Sequence, residues 1–220
     1  RSLRQILERA PNVSVLMDEI RTLDPETRTA TGASGRRFVY DYLVLATGAQ
    51  TSYFGNDDWE KHALGLKTLE EAQRIRRTVL SNLEQAELTD DPAERRRLMT
   101  VAIVGGGPTG VELSGAFADL IHRSMHSEFR SIDTSTLRVI LIEGSPRILE
   151  AYDDDQSEYA RVRLKSLGVE VWTGRRVSGV EEQRLRFTDG RTLEAAAIIW
   201  AAGVQATPLT RELGVEPADR

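Results

Sequence analysis

The sequence predicts an α/β fold: a Rossmann-like three-layer domain with a β-meander, joined to part of a second, related domain. Three observations predict it. Short apolar runs recur at 100–104 (TVAIV), 137–143 (LRVILIE) and 197–201 (AIIWA), and each reads as a buried strand. A glycine-rich turn links the first of these runs to a helical segment. Finally, one unit of helix, strand, meander and apolar strand occurs twice along the chain.

Residues 3–10 are expected to form a short helix with Leu3, Ile6 and Leu7 on one face, followed by a strand at 13–16. An antiparallel meander is expected over 20–40, punctuated by Asp24-Pro25 and by 32–35. Residues 41–46 (DYLVLA) read as a buried strand ending at Thr47-Gly48. Helical spacing over 69–86 places Ile75, Val79, Leu80 and Leu83 together. The charged stretch 87–97 reads as the end of that helix plus a solvated connector. After the strand at 100–104, a helix is expected over 108–127, then the strand at 137–143, a helix at 159–167 and a strand at 169–172. A second meander leads to the last apolar strand, which ends at Ala202-Gly203.

The repeat is visible in particular residues. Gly35-Arg36 and Gly190-Arg191 lie 155 residues apart, and so do Gln50 and Gln205. Each Gly-Arg pair begins 11 residues before the alanine that precedes its turn, Thr47-Gly48 or Ala202-Gly203. If the spacing is common to both copies, a first glycine loop belongs roughly 50 residues before residue 1. The chain, which begins with arginine, is therefore expected to be an internal piece. The organisation expected is an incomplete first domain and linker helix over 1–97, and over 98–220 a nucleotide-binding domain with the start of a return to the first domain.

Composition narrows the chemistry. A net charge of −5 argues against a nucleic-acid partner, which would call for a basic surface. The absence of cysteine excludes a disulfide, a thiolate metal site and a redox dithiol. The longest apolar run, 195–204, is far shorter than the ~20 residues of a membrane-spanning helix, and no signal peptide is visible. His122 and His126 are four apart on a helix but lack an evident third ligand, so no metal is expected.

Residues 101–110 (VAIVGGGPTG) hold the pattern GxGxxG between a strand and a helix. Gly105 allows the tight turn, Gly107 lets a pyrophosphate approach the backbone, and Gly110 lets helix and strand pack closely. Pro108 suits the first helical turn, where its missing N–H costs nothing. Gly106 and Thr109 complete the loop, and the helix N-terminus offers amide donors to phosphate. Glu143 ends the next strand, where a carboxylate would accept the adenosine ribose hydroxyls and disfavour a 2′-phosphate, so NADH is preferred to NADPH. It follows Gly110 by 33 residues, a surplus accounted for by a long helix and a loop near 127–136. The alternative is a structural glycine turn with Glu143 as an exposed charge. Glu112 either faces the nicotinamide end or complements the helix dipole. The turns at Thr47-Gly48 and Ala202-Gly203 stand at strand carboxyl ends, where such sheets bind ligands.

Residues 105–119 (GGGPTGVELSGAFAD), 199–208 (IWAAGVQATP) and 42–55 (YLVLATGAQTSYFG) resemble the type II NADH:quinone oxidoreductases, of the two-dinucleotide-binding flavoprotein superfamily. Residues 66–87 are similar to that family's linker helix. The resemblance implies an FAD-binding domain interrupted by an NADH-binding domain. Gly105, Gly106, Gly107, Pro108, Thr109, Gly110 and Glu143 would hold NADH, with Ala202 and Gly203 beside it. Thr47 and Gly48 would contact FAD. Glu112 would be the acidic, catalytic residue near nicotinamide and flavin. NADH would pass a hydride to FAD, and the electrons would go on to quinone in the respiratory chain. The implied protein is cytoplasmic, peripheral on the cytoplasmic membrane face, and able to form a homodimer. Two rivals remain: an NADH-dependent reductase of a ferredoxin-like protein, and a non-enzymatic NADH-responsive module.

Overall fold

Five buried residues in succession, Thr100–Val104, form an interior strand of the sheet around which most of the chain is organised. The structure, a computed structural model, describes residues 2–123, 129 and 131–214. It divides into two compact units, one of residues 1–48 and 206–220, the other of residues 49–205.

The larger unit contains β5 (Thr100–Val104), β6 (Arg138–Ile142), β7 (Glu170–Trp172) and β11 (Ala197–Trp200), which make a parallel sheet in the order β11-β5-β6-β7. Alternation along the strands builds two cores. Val101, Ile103, Val139, Leu141, Ala197 and Ile199 face the helices α2 (Leu69–Leu88), α4 (Pro108–Arg123) and α5 (Asp154–Ser166). Ala102, Val104, Ile140, Ile142, Ile198 and Trp200 pack against a meander of β8 (Val177–Glu181), β9 (Arg184–Phe187) and β10 (Thr192–Glu194). Covering both faces is why these strands read as unbroken apolar runs.

Helix α2 begins in a capping box: the Thr68 hydroxyl accepts from the Glu71 N–H at 3.1 Å, and the Glu71 carboxylate accepts from the Thr68 N–H at 2.8 Å. Its buried stripe is Ile75, Val79, Leu83 and Ala86, with Leu80 half-buried at its edge. The stretch expected to be a connector instead holds a helix, α3 (Pro92–Leu98). Asp91 caps it, accepting from the Ala93 N–H at 2.9 Å, and Pro92 occupies its first turn. Buried Leu98 joins the helix to the core. Helix α5 starts at Asp154, five residues before the expected start.

The smaller unit contains α1 (Leu3–Leu7) and a meander of β1 (Ile20–Asp24), β2 (Thr29–Gly32) and β3 (Arg37–Val39). Helix α1 is shorter than expected and buries no side chain. Two expected strands do not form. Residues 13–16 and 41–46 have no strand geometry, and Tyr42 and Val44 are 95% and 88% exposed. A strand exists only in a ladder, and among the described residues no strand runs beside either segment.

From β2 onward most of the repeat keeps one offset, whereas β1 and β8 lie 157 residues apart and 41–46 lacks the strand of 197–200. The offset of 155 carries β2 onto β9, β3 onto β10, and β4 (Ala49–Thr51) onto β12 (Val204–Ala206). It also carries Gly35 (φ +80°) onto Gly190 (φ +82°), and Arg28 (φ 51°) onto Gln183 (φ 56°). β4 and β12 pair with each other in a two-stranded ribbon. No helix among the described residues is long and apolar enough to cross a membrane.

Candidate functional site

The glycine loop leaves β5 and enters α4 within four residues, and three of its glycines have steric reasons to lack a side chain. Gly105 has φ +114°, and a Cβ there would stand 2.6 Å from the backbone of Ala201 and Ala202. A Cβ at Gly110 would overlap the Gly105 carbonyl oxygen, so the helix can approach the turn only with glycine there. A Cβ at Gly106 would lie 2.9 Å from the Glu143 side chain. Gly107 differs: nothing lies within 4 Å of the position its Cβ would take.

Glu143 follows the last residue of β6 and is held to the loop. Its Oε2 accepts from the Gly106 N–H at 2.6 Å and its Oε1 from the Ser145 N–H at 2.7 Å. Its own backbone N–H donates to the Trp172 carbonyl, and its carbonyl accepts from the Arg175 N–H, both at 2.8 Å. Each carboxylate oxygen keeps a further lone pair. The first α4 bond of the loop runs from the Val111 N–H to the Gly107 carbonyl at 3.0 Å. The amides of Thr109 and Gly110 precede it and lack a helical acceptor, and no acidic residue stands in this first turn.

A cleft of about 340 Å³ runs along the carboxyl ends of the strands. Its order follows from contacts. Ala202 lies against Gly105, Gly106 against Glu143, and Gly144 against Arg176. Gly105, Glu143 and Ala202 line the cleft, and Gly203 follows directly, its carbonyl accepting from the Ser52 N–H at 3.1 Å. Pro108, Thr109 and Glu112 are exposed on the first turns of α4 and are not among the lining residues. The donors, the open side of Gly107 and the carboxylate all fit a dinucleotide: amides for a pyrophosphate, space for its approach, and acceptors for ribose hydroxyls.

Thr47 and Gly48 belong to the smaller unit. The Thr47 hydroxyl lies 2.6 Å from that of Thr207, and both line a cavity of about 510 Å³ with Glu19, Arg21 and Glu212. Gly48 has φ +71° but follows no strand, because 41–46 forms none. His126 lies outside the described residues, as does the side chain of His122. Among the described residues, no group of three or more His, Asp or Glu could hold a metal.

Several cleft residues escape sequence reasoning. Trp200 ends β11, and its Nε1 donates to the Ser52 carbonyl at 2.8 Å. Around it gather Tyr53, Phe54 and Trp59, with ring centroids 5.6, 6.3 and 5.3 Å away. The only sequence signal was a cluster of aromatics after β4, far along the chain from the glycine loop.

Residues 2–220 match the pyridine nucleotide-disulphide oxidoreductase family. The chain is 39% identical over 213 residues to the type II NADH:quinone oxidoreductase NdhA of Mycobacterium tuberculosis, covering 94% of this chain and 45% of that protein. It is 36% identical over 217 residues to the type II NADH:quinone oxidoreductase Ndh of the same bacterium, covering 96% and 47%. Among solved structures it is similar to NDH2 of Plasmodium falciparum in complex with NADH, with a TM-score of 0.83 and 27% identity over 96% of this chain and 45% of that one. The chain thus spans less than half the length of these relatives.

Proposed function

The chain belongs to the pyridine nucleotide-disulphide oxidoreductase family, and from that premise we propose that it is the NADH-binding portion of a flavin-dependent NADH dehydrogenase that delivers electrons to quinone. One observation carries the reading: the Glu143 carboxylate is tied to the glycine loop at the end of the strand next to β5. That position suits it to hold the adenosine ribose while the amides of Gly107, Thr109 and Gly110 receive the pyrophosphate. Its negative charge disfavours a ribose 2′-phosphate, so the coenzyme is NADH.

In this reading residues 98–220 hold the NADH-binding domain and the start of the return to the FAD domain, and 1–97 supply part of the FAD domain and the linker helix. Bound NADH and FAD supply the hydride and electron chemistry. The chain's residues orient and shield. Gly105, Gly106 and Pro108 shape the loop, Ala202 and Gly203 lie beside the NADH, and Thr47 and Gly48 serve the flavin. Glu112 is the acidic residue at the nicotinamide end. Quinone, a membrane surface reached peripherally from the cytoplasm, and a homodimer complete the proposal; the quinone rests on the named relatives.

The test is NADH oxidation by the intact protein with a short-chain quinone, compared with NADPH as donor and with a ferredoxin-like protein as acceptor. Faster turnover with NADH and quinone is expected. Oxidation coupled only to the ferredoxin-like protein, or none with any acceptor, overturns the reading.

A further inference from the structure

Phe54 has an unusual backbone for a large side chain. Its φ is 53°, in the left-handed region that bulky residues avoid. The surrounding structure holds it there. The Phe54 N–H donates to the Ser52 hydroxyl at 3.3 Å, and the Asn56 side-chain amide donates to the Tyr53 and Phe54 carbonyls at 3.1 and 3.2 Å. Tyr53, the preceding residue, is buried, and its hydroxyl donates to the Ala63 carbonyl at 3.0 Å. The loop is thus anchored from below, yet Phe54 is 64% exposed.

The strain does not serve burial, so the place to which it brings the ring carries the argument. The ring lines the cleft and rests on Gly203, where an added Cβ would come within 2.7 Å of it. It meets Trp200 edge-on, with the ring planes 64° apart. Along the cleft, Glu143 stands on one side of the loop and Gly203 on the other. A dinucleotide with its adenosine ribose at Glu143 and its pyrophosphate at the loop would therefore bring its other ring to Gly203 and Phe54.

We infer that Phe54 is a positioning residue for the nicotinamide end of the bound dinucleotide, its ring presented by a strained turn to the planar pyridine. The inference rests on the NADH reading. It accounts for the positive φ, the exposure of Phe54 and its close approach to Gly203 together. Aromatic rings pack favourably on planar heterocycles, and one such contact changes affinity on the order of tenfold.

The experiment compares NADH with ADP-ribose, which keeps the adenosine, both phosphates and the second ribose but lacks the pyridine. Binding of each to the intact protein is followed by quenching of tryptophan emission and by calorimetry. Phe54→Gly is the decisive variant, because glycine accepts the positive φ and removes the ring without adding strain. It should raise or preserve Tm and weaken NADH on the order of tenfold, leaving ADP-ribose within about twofold of the unchanged protein. Phe54→Trp should restore most of the NADH affinity. Equal weakening of both ligands, or unchanged NADH binding, overturns the inference while the NADH reading stands. If the unchanged protein binds neither ligand, the NADH reading falls and the inference with it.

Discussion

The Glu143 carboxylate accepts the Gly106 N–H at 2.6 Å, so the acidic residue of the cleft also braces the glycine loop beside it. Its other oxygen accepts the Ser145 N–H, so two acceptors are needed at once. Glu143→Gln supplies only one carbonyl oxygen and turns an amide donor toward an N–H. It should cost about 1 kcal/mol of stability in urea denaturation and weaken NADH in a calorimetric titration. Unchanged values of both would show that neither hydrogen bond matters.

Two neighbouring glycines should respond in opposite ways. At Gly110 an added methyl would overlap the Gly105 carbonyl oxygen, so Gly110→Ala should shift α4 and lower stability by roughly 1–3 kcal/mol. At Gly107 the methyl meets open space, so Gly107→Ala should leave Tm nearly unchanged and lower NADH affinity by occluding the approach. Thermal melts and titrations of the pair check the contrast. Equal stability losses would refute it.

The two meanders turn on Gly35 and Gly190, whose φ values are +80° and +82°. Either glycine replaced by alanine should cost about 1 kcal/mol, since L-residues resist this region. Hydrogen exchange should place the first loss in 20–39 and the second in 177–194. Loss in only one of the two would mean that the copies no longer share a turn geometry.

Burial chiefly pushes the Tyr53 hydroxyl up to about 12, with the nearby carboxylates of Glu60 and Glu71 adding to the effect. The folded chain therefore keeps this proton when the unfolded chain, titrating near the ordinary value of 10.0, has lost it. The stability this contributes is complete below pH 10 and disappears as pH rises toward 12. Tyr53→Phe should lose the hydrogen bond to Ala63, costing roughly 0.5–1.5 kcal/mol at pH 7. Its urea midpoint should then fall less steeply across the alkaline window.

Much of this architecture could be read from residue order, and the failures have physical causes. Residues 41–46 and 196–201 carry the same apolar pattern at the same place in the repeat, yet only the second copy contains a strand. The difference is β5, which lies beside β11 and accepts its ladder. Pattern reports what a segment can do in a sheet, and a neighbour decides whether it does. The short helix after Asp91-Pro92 had a visible cap, but its high charge suggested a solvated connector. Gly105 and Glu143 of the cleft, and Gly110 of the adjoining loop, were legible because local spacing marks them. Phe54 and Trp200 were not, because they meet only after folding, 146 positions apart in the chain.

The ribbon of β4 and β12 bears on how such a chain could arise. Residues 49–205 begin and finish on strands that are hydrogen-bonded to each other. Bringing together the ends of a long segment costs only slowly growing entropy, and here the ladder offsets part of that cost. In genetic terms the segment is a cassette: one insertion event could place it, and one excision could remove it, without re-threading its host. The exact offset between the flanking strands is what would remain if the cassette and the host descend from a single duplicated gene.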